Sequence, residues 1–599
     1  MRKRNFKHRL AAICLSTAML FTALSGCGSS ASSADPADSP SVPASASADE
    51  TVSNENTEEA KGLVTTDYEA DGIQLSKPGE FPIVKGERIE LTAFVTPQQD
   101  KFSEFDAELN EITAWLEEKT NIHINWQIVG KADRVSKLNL MFNSGEYPDI
   151  IFFSGLGDAA EYLYGSSGML LPLNDMIDQY GYYTQQIFES YDPAMSESLI
   201  SLDGNIYSLG IFNDAKHMQY QGRMWIYQPW LDALGLEMPT TTEEFYEVLK
   251  AFKEQDPNGN GIADEIPFTG SLATNGWSNS PIDFVMNAFL YYNPSGANSI
   301  ILEDGKVKMA YAQEEYREGL KFLNRLYADG LLDPNAFTQD TTQLKGLTSH
   351  DTQIVGCVGG GSYTSFTTTT SGQDGDWVNF KPLAPLAGPE GVRYAQYSIP
   401  SVGANFLITD KCKYPNAAFR LADALYEQEI GMNVHLGMKG EHWDYAEEGE
   451  TGLDGNPAKW KVLASASVGT SDETNYAWGQ VSNAKLPAGW HTAQAVLGDP
   501  ALDVEALLYN AATIYEEFAP PMEIVWPTVP FNETQAQTIA DINATLNSFV
   551  LQEAVRFITE GGIDEGWDQY LKELENRRVD ELAAVYQEAY DARMAVLNG

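Results

Sequence analysis

Four cysteines in 599 residues are too few for a disulfide framework, so the chain must hold itself together by packing. Basic residues are scarce too: 38 Lys and Arg stand against 85 Asp and Glu, for a net charge of −47. A surface this acidic repels nucleic acid and anionic lipid and favours solubility. Histidine occurs seven times, scattered along the chain, with no H-E-x-x-H and no C-x-x-C to signal a catalytic metal. There is no Walker lysine followed by Ser or Thr, and no G-x-S-x-G elbow. Beyond the first 24 residues no run of about 20 apolar residues points to a membrane span. No period of 20–50 residues repeats, which excludes solenoids and propellers.

What is present begins with a targeting segment. "MRKRNFKHR" is basic and "LAAICLSTAMLFTAL" is an apolar stretch of signal-peptide length, so residues 1–26 read as a signal peptide. "LSGC", Leu24 to Cys27, resembles the lipobox of bacterial lipoproteins, whose cysteine becomes the lipidated N-terminus. The alternative is ordinary cleavage near Ala23. Two acyl chains on Cys27 would anchor the protein stably at the extracytoplasmic face of the cell membrane. Residues 27–84 then read as the lipidated cysteine and a disordered tether, because their first half is Ser, Ala, Pro and acid with almost nothing large and apolar. Cys357 and Cys412 are left, and both are expected as buried free thiols, although export would permit a bridge.

From Ile83 to Leu91 onward, strand and helix patterns alternate. "RIELTAFVTP", "HINWQIV" and "PDIIFF" read as strands. "FDAELNEITAWLEEKT" reads as a helix with Leu109, Ile112, Trp115 and Leu116 on one face, and "ADRVSKLNLMFNSG" as a helix stopped at Gly145. This order implies a parallel α/β sheet with helices on both faces, and ligands bind outside the carboxyl ends of such strands. Ser154, in the turn after Phe153, is therefore a candidate ligand contact. Further on, "TTTEEFYEVLKAFKEQ" opens with a capping box at Thr241 and Glu244. "DTQIVGCVGGGSYTSF" reads as a buried strand entering a glycine-rich turn, and the last eighty residues are mostly helical.

Several runs carry a resemblance, in one order along the chain: "LNLMFNSGEYPDIIFF", "DGNIYSLG", "PWLDALGLEMPTTTEEFYEVLKAFKEQDPNGNGIADEIP", "GMKGEHWDYAEEG" and "EAVRFITEGGIDEGWDQYLKELE". From about residue 85 to the C-terminus the chain resembles the solute-binding lipoproteins of bacterial ABC importers, in their large carbohydrate-type group. It departs from that group at Tyr227 and Pro229, so no family contact is carried onto those positions. The resemblance implies a two-lobed, type II periplasmic-binding-protein-like α/β fold with a hinge crossed more than once. Lobe one would be residues 85–215 plus 403–440, and lobe two residues 216–402 plus 441–599.

"DPNGNGIADEIP" matches the first half of an EF-hand loop: Asp256, Asn258 and Asn260 supply alternate oxygens, Gly261 the sharp turn and Ile262 a backbone carbonyl. Position twelve is Pro267 where a bidentate Glu is usual, and Asp264 and Glu265 could close the shell instead. An all-oxygen set with three carboxylates suits calcium in a structural role, as resemblance to calcium-holding members of the group also implies. The alternative is a solvated Asn-Gly turn, which would leave the carboxylates unexplained.

A sugar cleft needs flat aromatic platforms ringed by polar side chains. Trp277, Tyr363, Trp377, Trp443, Trp478 and Trp490 lie in loop-like contexts and are the candidate platforms. The leading reading is a monomeric, non-enzymatic receptor that captures an oligosaccharide and hands it to an ABC importer. A peptide ligand is the alternative within that class. A secreted glycoside hydrolase, which needs two carboxylates about 5–10 Å apart, is the rival outside it, with a structural adhesin behind.

Overall fold

Along Ile89–Val95 the side chains of Ile89, Leu91, Ala93 and Val95 are buried on one face, Glu90 and Thr92 are exposed, and Phe94 is buried on the other. Alternation of this kind gives a strand two dry faces at its carboxyl end, which is what a sheet covered by helices on both sides requires. The computed structural model describes residues 62–598 apart from 99–101, 132, 274–276, 295–298, 369–370, 373, 401 and 464–473. The signal peptide, Cys27 and the tether as far as residue 61 lie outside the described residues.

Nine strands form the two larger sheets: β1 (Ile89–Val95), β2 (Ile122–Ile128), β3 (Ile150–Phe152), β4 (Ser208–Gly210), β5 (Met224–Tyr227), β6 (Ile266–Thr269), β7 (Val355–Gly359), β8 (Phe380–Leu383) and β9 (Ala404–Ile408). The first sheet has the order β2-β1-β3-β9-β4 and the second β8-β5-β7-β6. β1 pairs in parallel with β2 and β3, from Ile89 opposite Ile122 to Val95 opposite Ile128. Helices Glu111–Thr120 and Arg134–Ser144 make the two crossovers. β9 runs antiparallel to β3 and β4, and β5 runs antiparallel to β7 and β8. The sheets are therefore mixed, where a parallel one was expected. β5 and β9 are the first strands after the chain leaves one core for the other, so no helical crossover constrains them to be parallel.

Two large cores lie against the two sheets. The first gathers Leu91, Val95, Ile112, Leu116, Phe152, Phe406 and helix Pro415–Ala424; on the other face of that sheet Phe94, Ile151 and Leu407 meet Leu138 and Phe142. The second gathers Trp225, Phe268, Val358 and Phe380 with Phe245, Val248, Leu249 and Phe252 of helix Thr242–Glu254, and with the C-terminal helices. Core membership switches three times: Phe212 to Tyr220, Ala395 to Val402, and Ala484 to Val504. The result is a two-lobed α/β body. Trp478, Val481 and Ala484 pack in the first core, inside the stretch 441–599 expected in lobe two.

Folded structure starts earlier than expected. Within the supposed tether, Tyr68–Ala70, Ile73–Leu75 and Val84–Lys85 form a small antiparallel sheet. Asp71 and Gly72 turn the first hairpin with φ of 55° and 74°, the positive pair that Asp-Gly favours in a two-residue turn. Leu75 and Ile83 are fully buried. Arg420 clamps this piece to the body, donating from Nη1 to the Ser76 carbonyl at 2.6 Å and from Nη2 to the Lys77 carbonyl at 3.1 Å.

Local expectations are met with small displacements. Asn110 caps Glu111–Thr120, its side chain accepting from the Thr113 N–H, so the helix begins after Leu109, which is 60 % exposed. The Thr241 hydroxyl accepts from the Glu244 N–H as foreseen, while the Glu244 carboxylate reaches the Thr240 N–H. Cys357 and Cys412 are free and buried. Among the described residues no helix is long and apolar enough to cross a membrane.

Candidate functional site

A cavity of about 470 Å³ opens where the chain passes between the two cores. Phe102, His435, Tyr476 and Gln480 line it from around the first core, Glu505 from the helix that enters the second, and Asn213, His217, Lys485, His491 and Gln494 from the connecting segments. Its aromatic faces are held by short polar ties. Asn475 accepts from the N–H groups of Ser103 and Glu104 at 3.1 and 3.2 Å, fixing the Phe102 loop beside Tyr476. Phe102 meets Tyr476 edge-on at 5.1 Å. His442 lies flat against the Tyr476 ring. Trp460 donates its indole N–H to the Trp490 carbonyl at 2.6 Å, and its strand Trp460–Val462 pairs with Trp443–Tyr445.

Burial sets the charge of the wall. His217 and His435 are pushed down by burial, to about 3 and about 4, and so are neutral. Burial likewise lowers the Lys485 ammonium to about 8. The arrangement is rings and polar donors and acceptors around a concave space, with Lys485 and Glu505 as charged members of the wall, a combination that takes a sugar's apolar face and hydroxyl edge. A second cavity, of about 530 Å³, lies between Asp158 on the first lobe and Tyr291, Tyr397, Trp526 and Tyr586 on the second.

None of the seven expected ligand contacts lines the first cavity. Tyr363 is fully buried against Trp225 and Trp377, its hydroxyl donating to the Phe380 carbonyl at 3.1 Å. Trp377 is buried in the same core. Trp443 and Trp478 are wholly enclosed and spend their indole N–H groups on Asn433 Oδ1 and Thr113 Oγ1. Trp490 packs with Trp443 and Trp460. Trp277 is half-buried over Gly361 and donates to Gln221 Oε1 at 2.6 Å. Ser154 is buried, and its Oγ accepts from the Leu156 N–H. His442 beside Trp443, Tyr476 two before Trp478, and His491 beside Trp490 line the cavity, while the larger neighbour turns into a core. Proximity of His217, His435, His442 and His491, four of seven histidines, was invisible in their scattered positions.

The Asp256 loop sits between helix Thr242–Glu254 and β6. Asp256 accepts from the N–H groups of Asn260 and Gly261 at 3.1 and 3.0 Å, Asn258 Oδ1 from Asn260 at 3.0 Å, and Asn260 Oδ1 from Ile262 at 2.6 Å. Gly259 and Gly261 take φ of 68° and 75°. The side-chain amides of Asn258 and Asn260 turn to Asp264. Glu265 Oε1 is buried with no hydrogen-bond partner, and burial together with the Asp264 and Asp256 charges pushes its carboxyl upward. The loop thus carries oxygen donors at alternate positions with one unpartnered Glu265 oxygen close in sequence, a donor set that fits a hard cation. A solvated turn would leave Glu265 unaccounted for.

The family described as bacterial extracellular solute-binding protein matches residues 96–432. The fructooligosaccharide ABC transporter substrate-binding protein FusA of Streptococcus pneumoniae serotype 4 is 28 % identical over 554 residues, covering 89 % of this chain and 94 % of that one. The structure of S. pneumoniae FusA with kestose aligns at a TM-score of 0.66 and 27 % identity, over 84 % of this chain and 99 % of that one. An EF-hand mutant of FusA with fructo-nystose aligns at 0.65 and 27 %, with the same coverage.

Proposed function

The chain belongs to the bacterial extracellular solute-binding proteins, and on that footing we propose that it is a lipid-anchored receptor that captures an oligosaccharide between its lobes and delivers it to an ABC importer. The observation that carries the reading is the cavity at the lobe crossing, where Phe102, Trp460 and Tyr476 present rings among Asn213, Gln480 and Gln494. FusA, crystallised with kestose, directs attention to fructooligosaccharides as the first ligands to try. The ligand would bind the closed arrangement better than the open one and so draw the lobes together, presenting a surface to the permease. Cys27 would hold the protein at the extracytoplasmic face of the cell membrane through its lipid, and the folded body would work as a monomer.

Capture is favoured over hydrolysis by the lining itself. Glycoside hydrolysis needs paired carboxyl groups, and among the described residues Glu505 is the one carboxylate of this cavity. Asp256, Asn258, Asn260, the Ile262 carbonyl, Asp264 and Glu265 would hold a structural calcium ion that joins helix Thr242–Glu254 to β6. The FusA structure described as an EF-hand mutant supports this reading. A glycan panel led by kestose, read by thermal shift and by analysis of the recovered sugar, tests the function. A shift with intact sugar supports capture; shortened sugar, or a shift with peptides alone, would reject it.

A further inference from the structure

Three side chains meet in the wall of the lobe-crossing cavity. His217 lies on the short helix Lys216–Gln219, His491 in the loop after Trp490, and Glu505 in the first turn of helix Val504–Glu516. His491 Nε2 is 3.4 Å and His217 Nδ1 3.9 Å from the same oxygen, Glu505 Oε2. One ligand atom from each of the three residues lies within 4.8 Å of the other two. Both histidines are more than nine-tenths buried as whole residues, and neither His217 Nδ1 nor Glu505 Oε2 has a hydrogen-bond partner. Buried polar atoms left unpaired are costly, and two of them facing each other beside a third ligand-type atom call for a common partner.

We infer that His217, His491 and Glu505 form a binding site for a divalent transition metal of the zinc class, open on its fourth side to the cavity. Two imidazoles and one carboxylate are a donor set that zinc accepts and calcium does not prefer. With bonds of about 2.0–2.1 Å, the edges of a zinc tetrahedron are about 3.3 Å long. The observed 3.4 and 3.9 Å to Glu505, and a span of up to 4.8 Å across the set, come to that size by an inward movement of the side chains. The three segments are already tied together. Lys216 pairs with Glu516 at 2.8 Å, laying the His217 helix along the Glu505 helix, and Asp214 accepts from the Gly489 N–H at 2.6 Å, holding the His491 loop against the same segment. Lys485 lines the same wall.

The test uses the full chain without glycan, stripped with a chelator and supplied with calcium. Zinc is titrated by calorimetry, and metal retained after dialysis is counted by elemental analysis. The expected result is one zinc per chain, with affinity at least about tenfold weaker in His491→Ala and in Glu505→Gln. His442→Ala and Asp256→Ala, which alter the cavity and the calcium-type loop but not these ligands, should keep it. Equal zinc affinity in wild type, His491→Ala and Glu505→Gln would overturn the inference. If those variants fail to fold, the wild-type protein decides alone: less than one retained zinc per chain overturns the site. The inference concerns a wall of the proposed glycan cavity, yet the two fail separately, because zinc is measured without sugar and Trp460→Ala should lose glycan while keeping zinc.

Discussion

The His442 imidazole lies flat against the Tyr476 ring, with 4.1 Å between centroids and 6° between planes. Gly437 makes this possible. Its φ is 104°, and a Cβ there would stand 2.6 Å from the imidazole. The stack fixes one face of Tyr476 and leaves the ring as a rigid wall of the cavity. Rigid aromatic walls lose little entropy on binding a sugar. Tyr476→Ala is therefore expected to weaken glycan binding roughly tenfold, about 1.4 kcal/mol, by calorimetry. Trp526→Ala, in the second cavity, should leave it unchanged; the opposite pattern would move the glycan site to the second cavity.

Calcium removal should lower the melting temperature, and Asp256→Ala should abolish that response. Glu265 gives a sharper test because its effect changes sign. Without metal its buried, unpaired oxygen opposes folding, so Glu265→Gln should raise the melting temperature of chelated protein. With calcium present the same substitution removes a ligand and should lower it. A melting curve indifferent to chelation would reject the calcium assignment.

Three carboxyls, Glu161 and Asp423 buried and Asp283 half-buried, make stability depend on pH in an unusual direction. Burial pushes Glu161 up to about 7 and Asp283 and Asp423 up to about 6. In the unfolded chain such groups titrate near about 4. Between those values the folded protein holds protons that the unfolded chain has released. The contribution of these groups is thus fully present below about pH 4 and is lost as pH rises toward 7. Urea midpoints of chelated protein should fall from pH 5 to pH 7.5, and Glu161→Gln should flatten the upper part of that slope.

Arg420 is 2 % exposed and carries the N-terminal sheet on its guanidinium. Hydrogen bonds from a charged donor contribute about 1.5–3 kcal/mol each. Arg420→Ala should cost about 3 kcal/mol or more and open residues 62–85 to protease, as limited proteolysis would show. Unchanged protection of that segment would contradict the clamp.

How much of this could be read from the chain depends on whether a feature is local. The β1–helix–β2 unit, Gly145 as a helix stop and the Thr241 cap follow from periodicity and turn chemistry within a dozen residues. The Asp71-Gly72 hairpin was equally legible and was lost under the polar composition of the segment before it. The cavity could not be read, because neighbouring residues on one loop face opposite ways. Trp443 packs inward with its indole N–H on Asn433, and His442 faces the space. Nothing in residue type says which of the two does so; that is decided by cores assembled from segments hundreds of residues apart, such as Thr113 with Trp478. The same distance hid the meeting of His217, His491 and Glu505.

Small-angle X-ray scattering of the full chain, with and without a saturating glycan from the panel, tests the account most directly. Lobes that close over a captured sugar predict a smaller radius of gyration at unchanged molecular mass. Superimposable curves at a ligand concentration where calorimetry shows full occupancy would contradict it.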